Sequence, residues 1–213
     1  CDTNVDIIEM VTDKAGIAGA ETRLADRVGQ HDTVGVEVTT KAIVATESVA
    51  AAIADEVENH AEVTVVMASH VRGRFAALFG SVAEELLQRV FGPVLVVGPH
   101  CRLGPFDGPI VVTVDGSSAS ESVLPLAAAW GIELRAEPWI VEVVEPDVVI
   151  SDDADQSTYP ERLALRLTAE SGHPVRFEVL QGHNVHDKIA DFADSLHASL
   201  IVASTRGRSG MER

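Results

Sequence analysis

Apolar residues in this chain fall into two alternating kinds of run. The first kind is short and rich in β-branched residues: IIEMV around Glu9, VEV around Glu37, VVMAS from Val65 and PVLVV from Pro93. PIVVTV from Pro109, PWIVEVV from Pro138, PVRFEVL from Pro174 and LIVAS from Leu200 continue the series. Runs of this length bounded by glycine, proline or polar residues read as strands. Between them the spacing changes to that of a helix. NVHDKIADFADSLHA puts Ile189, Phe192, Ala193 and Leu196 on one face, and similar segments follow from about Ser81 to Phe91 and from Pro160 to Glu170. Another helix is expected after VDGS, as far as Trp130, with Pro125 in an early turn or at a kink. Strands alternating with helices predict an α/β fold in which crossover helices cover a parallel sheet.

The same pattern is written twice. VVMASHVRGR at 65–74 returns as LIVASTRGRS at 200–209, so Ala68 maps to Ala203 at an offset of 135. The Glu9 run maps to the Glu142 run at 133, and the Glu37 run to the Glu178 run at 141. Three matches in one order indicate a tandem duplication, with a period the length of a domain. The expected organisation is one domain over 1–101, a linker over 102–108 in the Gly- and Pro-rich GPHCRLGPFDGP, and a second domain over 109–213. By these offsets copy one shows no counterpart of the first strand PIVVTV, and copy two none of the last, PVLVV. The composite is a five-stranded doubly wound domain occurring twice, the first copy lacking its N-terminal strand and the second its C-terminal strand. The opening CDTNV has no initiator Met, so the start is expected upstream.

Composition narrows the partners. The 213 residues include 46% apolar ones, adequate for packed cores, and carry a formal charge of −17. That charge repels nucleic acid and anionic membranes, and no apolar run approaches the roughly 20 residues of a membrane span. Cys1 and Cys101 form neither a disulfide framework nor metal-ligand spacing, which points to a cytoplasmic protein. A small anionic ligand remains compatible, because backbone dipoles act locally.

Several local features have plain structural readings. Ser81 with Glu84, and Ser118 with Glu121, match the capping box S-x-x-E; a helix start with a glycine before it, as at Gly80, is equally an anion site. In GHNVHD, Asn184 is a good N-cap and His183 and His186 read as solvated, so no metal site is assigned. SDDADQ at 151–156 reads as an acidic loop. No G-x-S-x-G elbow is present, and no catalytic residue is assigned.

VDGS after a first strand, STRGRSG after a fourth and GSVAEELL…PVLVV at the end resemble the universal stress protein family, over nearly the whole chain as two tandem domains. The resemblance implies a Rossmann-like fold of the adenine nucleotide alpha hydrolase kind, with strand order 3-2-1-4-5. It further implies a regulatory module that binds ATP, with or without Mg²⁺, or another adenine nucleotide such as cyclic AMP. Some family members bind none. Matched to the family pattern, Asp115 is the acid contacting adenosine and Val143 the position whose backbone meets adenine. Ser204 and Gly207 fall at the two phosphate-loop glycines, and Arg208 follows. In copy one Gly80, Ser81 and Val82 match the terminal Gly-Ser-Val, but Ala68 and Val71 replace the earlier glycines. Eight residues separate Val71 from Gly80 where the family has nine. A valine is poor at φ > 0, so copy two is expected to hold the better site. The resemblance also implies association, as a homo-oligomer or an intramolecular domain pair, and at most weak ATP hydrolysis. The alternative is a nucleotide-free, pseudo-dimeric scaffold whose phosphate loops have degenerated.

Overall fold

The computed structural model describes residues 4–31, 35–58, 60, 63–68, 81–98, 101, 106–146 and 158–205. Two compact units divide the chain, Cys1–Cys101 and Arg102–Arg213.

Unit 2 opens with β5 (Ile110–Val114), then α4 (Ser118–Glu121), α5 (Leu124–Leu134) and β6 (Pro138–Val144). It continues with α6 (Tyr159–Ser171), β7 (Arg176–Gln181), α7 (Val185–Ser195) and β8 (Leu200–Val202). The four strands are parallel in the order β7-β6-β5-β8. In terms of the repeat this is 3-2-1-4, the order expected up to the fourth strand. Strand β5 is central and apolar on both faces: Ile110, Val111 and Val112 are completely buried. Alternation sends Ile110, Val112, Val114 and Ile140 to one face, under Leu124 and Ala127 of α5 and Leu163, Ala164 and Leu167 of α6. Val111 and Val141 point the other way, against Ala193, Ile189 and Phe192 of α7 and Leu196 just past its end. Helices on both faces are why the strands carry near-continuous aliphatic runs. The helical face read from the sequence for α7 is the one that packs, and Asn184 caps that helix, its Oδ1 accepting from the Asp187 amide at 3.3 Å.

The segment after VDGS differs from the single helix expected. It breaks at Ser122 and Val123 into α4 and α5, with Pro125 in the first turn of α5, where its missing N–H costs nothing. Gly108 sits against the turn that leads into β8. Its amide donates to Ser199 Oγ at 2.7 Å, and a Cβ there would lie 2.3 Å from the His197 carbonyl oxygen, so no larger residue fits without movement.

Unit 1 contains β1 (Asn4–Val11), α1 (Ile17–Val28), β2 (Glu37–Val44), α2 (Val49–Glu58), β3 (Val65–Ala68), α3 (Ser81–Arg89) and β4 (Val94–Val97). Its strands are parallel too, but among the described residues they form two separate ladders, β1-β2 and β3-β4. In repeat terms these are strands 2 and 3, then 4 and 5; the first-strand position that β5 fills in unit 2 has no counterpart among them. Ala20 and Leu24 of α1 are buried, and Ala50 and Ala54 of α2 meet Leu86 of α3 over Val65, Met67 and Val94. The five-stranded composite, of which each copy in this sequence lacks one end strand, remains an expectation, as does the linker over 102–108, of which 102–105 lie outside the described residues.

Candidate functional site

The carboxyl ends of β5, β6 and β8 lie side by side, because β5 pairs with both neighbours. Val114 is opposite Glu142 and Val112 opposite Val202. Asp115 follows β5 directly, Val143 stands one residue past the last β5–β6 pair, and Ser204 lies two residues past the last β5–β8 pair. Sheet register therefore brings Asp115, Val143 and Ser204 to one edge of unit 2. This edge is also where the strand order reverses, since β6 continues the sheet to one side of β5 and β8 to the other. In doubly wound sheets that reversal opens a crevice at the carboxyl ends of the strands. All three residues are half-buried. Gly207 and Arg208 lie outside the described residues.

A tight turn shapes the Asp115 end. Gly116 has φ +82°, left-handed backbone that a side chain strains, and this lets the chain fold back on the Asp115 carboxylate. Asp115 Oδ1 accepts from the Ser117 amide at 2.9 Å and from Ser117 Oγ at 2.6 Å. Ser117 Oγ in turn accepts from the Ser120 amide at 3.1 Å, making Ser117 the N-cap of α4. The capping box expected from Ser118 and Glu121 does not form. The cap sits one residue earlier, and Glu121 turns outward to α6, where its two carboxylate oxygens accept from Tyr159 Oη and Arg166 Nη2, each at 3.0 Å.

Tyr159 was not singled out from the sequence. Burial pushes its phenol up to about 12, reinforced by the hydrogen bond to Glu121 and that carboxylate's charge; the Ser120 side chain acts in the opposite direction, and the charge of Glu142 adds a smaller push upward. The phenol therefore stays neutral and donating. The only textual hint was a tyrosine opening a helix in TYPER, a pattern shared by many helix starts.

In unit 1, α3 begins at Ser81, so Ser81 occupies the first turn instead of preceding it; Gly80 lies outside the described residues, as does Val71. Val82 packs on the cluster of Ala50, Ala54 and Leu86, a core role that needs no ligand. A cavity of about 180 Å³ lies elsewhere in the unit, between the end of β2 and α2. Ile43, Val44 and Thr46 line it with Glu47, Asp55 and Glu56, and it holds none of the residues expected to bind nucleotide. Three carboxylates make it a poor receptor for an anion.

Among the described residues no helix is long and apolar enough to cross a membrane, and no group of three or more His, Cys, Asp or Glu is placed to hold a metal ion.

Comparison with known proteins agrees with the repeat. The model of the universal stress protein family matches twice, over residues 5–98 and 108–213. Among solved structures, a universal stress protein from Archaeoglobus fulgidus DSM 4304 aligns over 93% of this chain and 75% of its own, with a TM-score of 0.65 at 18% identity. A putative universal stress protein from Pseudomonas aeruginosa UCBPP-PA14 aligns over 94% and 70%, with a TM-score of 0.56 at 16% identity. A functionally unknown protein from Pseudomonas aeruginosa PAO1 gives 94% and 70%, 0.57 and 17%. No curated protein matches the sequence. At these identities the structural likeness speaks for the fold, while the family matches cover both halves of the sequence, and the chain belongs to the universal stress protein family.

Proposed function

We propose that this protein is a cytoplasmic stress-response regulator whose second unit binds an adenine nucleotide. The observation that carries this reading is the strand order β7-β6-β5-β8, which collects Asp115, Val143 and Ser204 at the point where the strand order reverses. The donor set orients the ligand. Asp115 already accepts two hydrogens at Oδ1 and offers only acceptor oxygen, which suits ribose hydroxyls and repels phosphate. Glu142, paired with Val114, adds negative charge on the β6 side. The sugar then belongs at Asp115 and the base near the Val143 backbone. The phosphates belong at the far side, where Ser204 leads into Gly207 and Arg208. Mg²⁺ bound with ATP would offset the acidic surroundings. None of these residues has an assigned role as a base, so the site is read as a binding switch, with at most weak hydrolysis.

Calorimetric titration of the intact protein with Mg-ATP and with cyclic AMP tests the assignment. Asp115→Asn keeps an oxygen for Ser117 and so spares the turn while removing the charge; Gly207→Val obstructs the loop. Each is expected to weaken binding by about 10- to 100-fold, the cost of one hydrogen bond to a charged group. Unchanged affinity in both variants defeats the site.

The second reading, a scaffold without nucleotide, is favoured in unit 1 by the packing of Val82 into the core. It predicts no heat with any adenine nucleotide. Association, as a homo-oligomer or as an intramolecular domain pair, is part of both readings, and sedimentation tells the two apart.

A further inference from the structure

We infer that Tyr159 is a positioning residue, whose hydroxyl acts through Glu121 and α4 to hold the Asp115 turn in the shape that the proposed nucleotide site needs. The inference rests on that reading for its functional consequence, while the brace itself stands on geometry.

Helix α4 has four residues, too few to be stable alone, because a single turn fixes many dihedrals for one or two hydrogen bonds. It must be held at both ends. At its start, Ser117 and Ser120 tie it to the turn. The buried Ser120 hydroxyl donates to the Ser117 carbonyl at 2.9 Å and accepts from the Asp115 amide at 3.1 Å, so the Asp115 backbone is fastened to α4. At its end, Glu121 is fastened to α6 by Tyr159 and Arg166. Helix α6 is in turn anchored by Leu163, Ala164 and Leu167 in the core. The path from core to turn therefore runs α6, Tyr159, Glu121, Ser120, Asp115. Arg166 is the weaker of the two α6 links, since its side chain is 51% exposed and an exposed ion pair is screened by water and salt. Tyr159 packs its ring against the core and donates to a charged acceptor, the stronger arrangement. The charged groups facing its hydroxyl are Glu121 from α4 and Glu142 from β6, with Arg166 of α6 on the other oxygen of Glu121.

Hydrogen exchange of the full chain, resolved by residue, provides the test. Tyr159→Phe keeps the ring and removes the hydroxyl. Exchange at the Asp115 and Ser117 amides is expected to quicken about tenfold, while the Val112 and Val141 amides in the sheet keep their parent rates. Glu121→Gln retains an oxygen for Tyr159 and should leave the Asp115 amide closer to its parent rate than Tyr159→Phe does. A merely structural tyrosine would speed exchange at Val112 and Val141 as much as at Asp115; that result, or no change at Asp115 and Ser117, overturns the inference. Where the parent binds nucleotide, Tyr159→Phe should lower affinity by about tenfold, and unaltered affinity also overturns it. A parent that binds none defeats the functional reading alone, and the exchange rates still decide the brace.

Discussion

Tyr159 is the chain's single tyrosine, so tyrosinate absorbance follows its titration without interference. Its folded pKa of about 12 lies above the ordinary value of 10.0, so across this interval the folded state holds a proton that the unfolded chain has given up. Linkage then fixes the sign. The stabilisation is complete below pH 10 and is lost as pH rises from about 10 to about 12. Spectrophotometric titration should give a midpoint near 12 for the native protein, falling toward 10 in urea. Glu121→Gln should lower it, and an unshifted midpoint in that variant would contradict the hydrogen bond. At this scale the sequence was only partly legible. DGSS offers two adjacent serines as caps, and the text favours Ser118 because Glu121 completes S-x-x-E. What selects Ser117 is the left-handed backbone at Gly116 and the carboxylate of Asp115, both consequences of how β5 ends. Glu121 was drawn away by Tyr159, 38 residues along, a contact no local pattern announces.

Elements were easier to read than their contacts, because periodicity reports which face is apolar but not what will cover it. The strands IIEMV and IVEVV look alike, and both form. Ile7 of β1 and Ile140 of β6 hold the same place in the repeat, yet Ile7 is 37% exposed and Ile140 is completely buried. Ile140 lies between β5 and the helices α5 and α6, while β1 pairs with β2 alone among the described strands. Ile140→Ala should therefore cost about 2–5 kcal/mol and Ile7→Ala less than about 1 kcal/mol, measured by urea denaturation. Equal costs would mean that the two strands are covered alike. The break between α4 and α5 was half legible: Pro125 demanded an early turn, but the separate four-residue helix depends on hydrogen bonds from the Asp115 turn.

For the molecule as a whole, the duplication could be read directly from matched runs, and so could the two-unit arrangement it implies. The difference in their cores could not. Among the described residues unit 2 has a contiguous four-stranded sheet with aliphatic clusters on both faces, while the buried cluster between α2 and α3 of unit 1 is two alanines and one leucine. Smaller apolar area predicts lower local stability. Both tryptophans, Trp130 and Trp139, lie in unit 2, so fluorescence reports that unit while far-ultraviolet circular dichroism reports both. In urea the loss of ellipticity should begin before the fluorescence transition, and coincident curves would show that the units unfold together. The separate ladders of unit 1 carry one more consequence. Among the described residues α2 packs with α3 on the β3-β4 ladder, and Lys41 of β2 reaches Glu56 of α2 in an ion pair at 2.7 Å. The two ladders of unit 1 share no strand among the described residues, whereas in unit 2 parting β6 from β8 breaks the main-chain hydrogen bonds of β5.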